Sequence, residues 1–184
     1  MKRGSLTKER IIDEALNIVS TVGFDQLTYN GLARSLGIQP QSMYRYVANI
    51  SDVRTSVIAT YMTALTQAMY QELVPYSGAD ALRQLAISFV TYTQTGVSFT
   101  DMVSGLITYR QNLEVAEAVN GLHDLVTRLI QSVTSQAERV EPNVHLFLNF
   151  VIGSLTLLTV RQESRETNLE EYEANVDRIL SLLK

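Results

Sequence analysis

Apolar side chains return every third or fourth position along almost all of this 184-residue chain, and only three prolines and nine glycines interrupt them. Such spacing gathers the apolar groups on one side of a helix, whereas a strand needs alternation of period two. The expected fold class is therefore all-α. Hydrophobic residues make up 46% and charged residues 18%, as in an ordinary folded protein. Cysteine is absent, which rules out disulfides and thiolate metal sites and fits a reducing cytoplasm. The N-terminal stretch lacks the apolar segment of a secretion signal. The most apolar run, residues 144–160, carries His145, Asn149, Ser154 and two threonines, so it reads as a buried helix rather than a membrane span.

Punctuation residues divide this pattern. Thr7 is placed to cap a first helix over about 6–22, with Ile11, Ile12, Ala15, Ile18, Val19 and Val22 on one stripe and Gly23 just beyond. Thr28 reads as a second N-cap ahead of Leu32, Ala33 and Leu36, although Gly31 inside that helix costs about 1 kcal/mol relative to Ala. Gly37 permits a sharp turn, Pro40 suits the first turn of the next helix, and Met43 and Val47 face inward. Two short helices, about 28–35 and 40–46, joined by a turn carrying Gly outline a helix-turn-helix. A long helix capped by Asn49 or Ser51 runs to about Leu73 and ends at the break 74–80. Further helices are expected over about 79–94, 101–111 and 113–137, then from Pro142 to about Glu163. Asn168 with Glu171 resembles a capping box for the last helix.

Charge is unevenly spread. The formal net charge is -4, yet residues 1–56 carry seven basic and five acidic groups, against eight and fourteen in residues 57–184. No acidic side chain occurs between Gln26 and Ser51. Only this first part can approach a polyanion without net repulsion. The second helix of a helix-turn-helix reads base edges through exposed side chains near its N-terminus. Here those are Gln39, Pro40, Gln41, Ser42, Arg45 and Tyr46. Gln matches adenine and Arg matches guanine, while Tyr, Ser and Thr hydroxyls such as those of Thr28 and Tyr44 suit phosphates. Tyr44 has a second reading, as packing under the recognition helix. Lys2 and Arg3 form a basic arm ahead of the first helix.

The ordered set Gly23-Phe24, Thr28, Leu32-Ala33, Gly37-Ile38, Met43-Tyr44-Arg45-Tyr46-Val47 and Asn49-Ile50-Ser51-Asp52-Val53 resembles the tetracycline-repressor (TetR) family of bacterial regulators. The resemblance covers roughly residues 7–60. It implies a DNA-reading domain over 1–52 and a helical effector-binding and dimerisation domain over 53–184. One position departs: Ile50 stands where the family usually has a lysine that contacts a DNA phosphate.

The helix from Pro142 is apolar nearly all round, which implies one face on its own core and one on a partner. Gly153 and Ser154 allow another helix to come close, and the last helix adds a second stripe. Phe147, Val151, Leu155, Leu158, Tyr172, Val176, Ile179 and Leu183 are the expected homodimer interface, two helices from each subunit. The competing reading is a central helix in a monomer. The family resemblance implies the same dimer and also a small effector held among the middle helices. There Phe89, Tyr92, Phe99, Met102, Tyr109 and His123, with Gln94 and Arg110, form a mix suited to an apolar pocket with a few polar groups. No cofactor or metal is expected, and His123 beside Asp124 lacks ligand spacing. A phosphate-binding Gly loop, G-x-S-x-G and H-E-x-x-H are all missing, which argues against an enzyme. The expectation is a homodimeric, ligand-responsive repressor of a palindromic DNA operator, acting in the cytoplasm. Its rival is a helical sensor or adaptor that no longer reads DNA.

Overall fold

The computed structural model describes residues 6–93, 97, 99–160 and 165–183. Among these it forms nine α-helices and no strand. They are α1 (Lys8–Val22), α2 (Tyr29–Ser35), α3 (Pro40–Met43), α4 (Ile50–Leu73), α5 (Gly78–Thr93), α6 (Phe99–Tyr109), α7 (Leu113–Val133), α8 (Val140–Val160) and α9 (Arg165–Leu182). No helix among the described residues is long and apolar enough to cross a membrane. The chain forms two compact units, Met1–Ala64 with Thr93–Val119, and Leu65–Tyr92 with Asn120–Lys184. These units are drawn differently from a division at residue 52, because α6 packs on the segment Phe24–Gln26 and the start of α7 meets α4.

In the first unit α1, α2 and α4 begin where a side chain takes an orphan N–H. Thr7 accepts from the Arg10 amide at 3.2 Å, and Thr28 from the Gly31 amide at 3.1 Å. At Gly31 a Cβ would lie 2.8 Å from Thr28 Oγ1, so a side chain there needs a small shift of the cap. At α4 the capping is reciprocal. Asn49 Oδ1 accepts the Asp52 amide at 3.0 Å, and Asp52 Oδ2 accepts the Ala48 amide at 2.9 Å. The stripe of α1 buries Ile11, Ile12, Ala15 and Val19, but Val22 ends the helix facing solvent. Gly23 then takes φ 90° and leads into a single 3-10 turn, Phe24–Gln26.

That turn is gripped from two sides. Arg54 of α4 donates through Nη2 to the Leu27 carbonyl at 2.9 Å and the Asp25 carbonyl at 3.3 Å, with its guanidinium 5.6 Å above the Phe24 ring. Gly105 of α6 closes the other side. A Cβ there would fall 2.7 Å from Ile58 Cδ1 and 3.0 Å from Phe24 Cζ, so only glycine lets α6 come this near. Ser56 of α4 donates to Glu114 in the first turn of α7 at 3.3 Å.

The second unit has its own core, including Leu82, Ala86, Val126, Ile130, Phe147, Val151 and Val176. Tyr172 of α9 is buried, its hydroxyl donating to the Ala86 carbonyl at 3.0 Å and its ring stacked on Phe150 at 5.7 Å. Burial pushes that phenol far above its ordinary range. Arg83 of α5 forks onto Asp177 and Glu173 of α9, each at 2.9 Å. Leu183 is fully buried just past α9, and its carbonyl accepts from Thr134 Oγ1 and Asn143 Nδ2, both at 3.1 Å.

Three expected boundaries move. The last helix begins at Arg165, so Asn168 and Glu171 lie inside it rather than at its cap. The apolar helix begins at Val140 after a 3-10 turn, Ala137–Arg139, with Pro142 inside its first turn. The recognition helix is four residues long, because the Tyr46 and Val47 amides both turn onto the Met43 carbonyl, at 2.9 and 3.0 Å.

Arg54→Ala strands the Leu27 carbonyl and bares the Phe24 ring. It is expected to cost about 1–3 kcal/mol of stability, read as a lower midpoint in urea unfolding. Arg54→Lys recovers only part, since an ammonium lacks the planar fork.

Candidate nucleic-acid interface

The approach to α3 is set by how α2 ends. Gly37 adopts φ 66°, its amide bonds the Arg34 carbonyl at 3.0 Å, and the Ile38 amide bonds the Ala33 carbonyl at 3.0 Å. This pair of bonds is a Schellman ending, which requires a left-handed residue at the position Gly37 occupies. The chain then turns into Gln39, which precedes Pro40 at the first position of α3. Pro40 gives up no hydrogen bond there.

Met43 and Val47 are fully buried beneath the turn, which leaves the opposite side outward. Gln39, Gln41, Ser42, Tyr44, Arg45 and Tyr46 are all exposed, and Pro40 is half-buried. The structure thus brings together on one outward surface the residues expected to read bases. Thr28 is exposed as well, with its oxygen engaged as the cap of α2. Tyr44 is 62% exposed, so it is not packed under the recognition turn. Its ring lies 5.2 Å from that of Tyr29. Tyr29, which the sequence reading passed over, also donates its hydroxyl to the Val47 carbonyl at 3.3 Å. Burial, then the neighbouring Tyr44 and Asp52, raise the Tyr29 phenol above its ordinary value.

The cations are distributed unequally. Arg34 and Arg45 are exposed, whereas Arg54 is spent on the carbonyls of its own unit. Ser35 donates to the Glu14 carboxylate, which ties α2 to α1. Ile50 is half-buried at the first position of α4 and offers no charge. Lys2 and Arg3 lie outside the described residues.

The other expected sites are placed as follows. Phe89 is buried and Tyr92 half-buried on α5, and His123 is exposed on α7, all in the second unit. Met102 is buried and Tyr109 half-buried on α6, in the first unit. Gln94 and the side chain of Phe99 lie outside the described residues. No cluster of three or more His, Cys, Asp or Glu with metal-binding arrangement occurs among the described residues.

The interface residues need a correction. Phe147, Val151, Leu155, Tyr172, Val176 and Leu183 are at most 5% exposed within one subunit. They have no surface left to lose to a partner and belong to the subunit's own core. Leu158 and Ile179 are half-buried. The outward face of α8 is carried instead by Leu146, Ile152 and Leu157, which are 39, 40 and 58% exposed, with open space around Gly153. The period of the apolar residues could not tell these two faces apart, since both are apolar.

No protein-family model matches the chain. It is similar to an HTH-type transcriptional regulator of Bacillus subtilis (strain 168), YobS, at 20% identity over 181 residues, 97% of this chain and 93% of that one. Over 52 residues it is 38% identical to another HTH-type regulator, Rv0681 of Mycobacterium tuberculosis, a match covering 28% of this chain and 24% of that protein. Its fold is that of SCO7222, a TetR from Streptomyces coelicolor, with a TM-score of 0.69 at 16% identity over 97% of this chain and 98% of that one. Whole-chain fold and local sequence agree: the chain has the fold of a TetR regulator and is similar in sequence to HTH-type transcriptional regulators.

Proposed function

We propose that this protein is a homodimeric repressor that reads a palindromic DNA operator through α3 and leaves it when a small effector binds. The observation that carries the reading is the outward set Gln39, Gln41, Ser42, Tyr44, Arg45 and Tyr46, on a stretch without any acidic side chain from Gln26 to Ser51. These are groups that match base edges and phosphates. In this proposal residues 1–52 read DNA and residues 53–184 dimerise and sense. The protein works at the chromosome, in the cytoplasm of a bacterial cell. Phe89, Tyr92, Met102 and Tyr109 remain the candidates for effector contact, with His123 at an exposed position.

Dimerisation is assigned to the outward face of α8, because a helix whose second face is apolar buries it against something. A two-fold axis there presents two recognition turns to two half-sites. Ile50 favours the rival reading, a sensor without DNA, only at that one position; the exposed reading set weighs against it.

Selection of bound fragments from a random-sequence DNA library tests the reading directly: enrichment of an inverted repeat supports it, and no enrichment removes it. On the enriched site, Arg45→Ala is expected to lose about 1–3 kcal/mol of specific binding and to relax preference at one base position of each half-site. Ile50→Lys, measured in a salt titration, is expected to tighten binding and steepen the slope of log K against log salt by about 0.9 per added contact. An unchanged slope would mean that position 50 does not face phosphate. Leu157→Glu is expected to yield folded monomers in sedimentation analysis. Leu155→Glu, which buries a charge in the subunit core, is expected to unfold the chain instead.

A further inference from the structure

A one-turn helix does not hold its own shape in water, since nucleation alone outweighs the few bonds it makes. The four residues of α3 are therefore oriented by what surrounds them. Met43 and Val47 pin the underside by burial. Apolar contact is non-directional, however, and leaves the turn free to roll about the line joining those two side chains. Roll is the motion that matters for reading, because Gln41, Ser42 and Arg45 project from the far side, and an error at the axis grows outward along a long side chain.

Two polar contacts oppose that roll, and they fall on one peptide group. The carbonyl of Val47 accepts from the Tyr29 hydroxyl on α2 at 3.3 Å. The amide of Ala48, on the other side of the same planar unit, donates to the Asp52 carboxylate on α4 at 2.9 Å. Because the peptide bond is planar, holding its oxygen and its nitrogen from two different helices fixes the orientation of the whole unit. Asp52 is itself fixed, its amide bonded to Asn49 Oδ1 at 3.0 Å. The Tyr29 bond is long for O–H···O, so the ring carries a share of the constraint: it lies 5.2 Å from the ring of Tyr44, tilted by 31°. Tyr44 is the residue next to Arg45, so the same side chain braces the turn both at its end and beside its reading arginine.

We propose that Tyr29 is a positioning residue for DNA reading: it clamps the Val47–Ala48 peptide against Asp52 and braces Tyr44, and so sets the attitude of the recognition turn without reading a base itself. The proposal rests on the DNA-reading function above. It separates two properties usually lost together. Phosphate attraction depends on charge and survives a small rotation, whereas base readout depends on geometry and does not. Loss of the clamp therefore lowers the ratio of specific to non-specific binding more than it lowers non-specific binding.

The test uses the full chain, DNA enriched by the wild type from a random library, and three variants. Tyr29→Leu removes ring and hydroxyl, and Tyr29→Phe removes the hydroxyl alone. Tyr172→Phe is a control that removes a buried hydroxyl bond in the other unit. The expected result is a loss in the specific to non-specific ratio of about tenfold for Tyr29→Leu and about threefold for Tyr29→Phe, with no change in the control. Amide hydrogen exchange should speed up over residues 44–48 in both Tyr29 variants and nowhere in the control's α3 region. Unchanged ratios in Tyr29→Phe with unchanged exchange at those amides overturn the clamp, even where Tyr29→Leu fails to fold. Faster exchange with an unchanged ratio overturns its role in reading and leaves the DNA-binding function standing. If the wild type enriches no sequence, the regulator reading falls and the positioning role falls with it.

Discussion

The attitude of α3 depends on α2 ending at Ser35, with Leu36 as its cap. One more helical residue would turn Gln39 and Pro40 by about 100° about the helix axis and carry the outward set away from its present side. The stop comes from a left-handed residue. At Gly37 the backbone takes φ 66°, which lets the Gly37 and Ile38 amides reach back to the carbonyls of Arg34 and Ala33. A side chain at that position would meet no neighbour, so its penalty would be purely one of backbone conformation. The attitude of α3 thus begins with a torsion angle rather than with a contact.

Around that stop, charged groups are divided between holding the fold and facing outward. Arg54 lies near the expected DNA-facing stretch, yet its guanidinium is given to the carbonyls of Asp25 and Leu27 and to the face of Phe24. Asp52 is turned onto the Ala48 amide, and Glu14 accepts from Ser35. Arg34 and Arg45 remain exposed. Those two carboxylates are thereby kept on a backbone amide and a hydroxyl, and no acidic side chain stands between Gln26 and Ser51.

Much of this is legible in the sequence. Thr7, Thr28, Gly37, Pro40 and Asn49 act through local backbone rules, and each stands where its rule placed it. The break at 74–77 was marked by turn residues in the same way. What stayed hidden depends on partners far along the chain. The length of α3 follows from the Met43 carbonyl taking two amides, a competition that no propensity reports. Arg54 reached its partners across 27 and 29 residues, and Tyr29 its carbonyl across 18. On α8 the apolar residues run all round, so periodicity showed two faces without saying which one turned inward. Six of the residues first assigned to a partner are buried in the chain's own second unit.

The contact between Thr28 and Gly31 carries a consequence for how this sequence can change. Replacing a helical glycine by alanine ordinarily stabilises by about 1 kcal/mol, and Gly31 looks like an open site for such a gain. Here a methyl group would stand 2.8 Å from the capping oxygen, and the easy relief is for Thr28 to rotate away. A cap is worth about 1 kcal/mol, so what the helix interior gains its first turn loses. The two positions are coupled through that space: a residue with a Cβ at position 31 is expected to gain less than the usual amount, because the cap at Thr28 must shift to admit it.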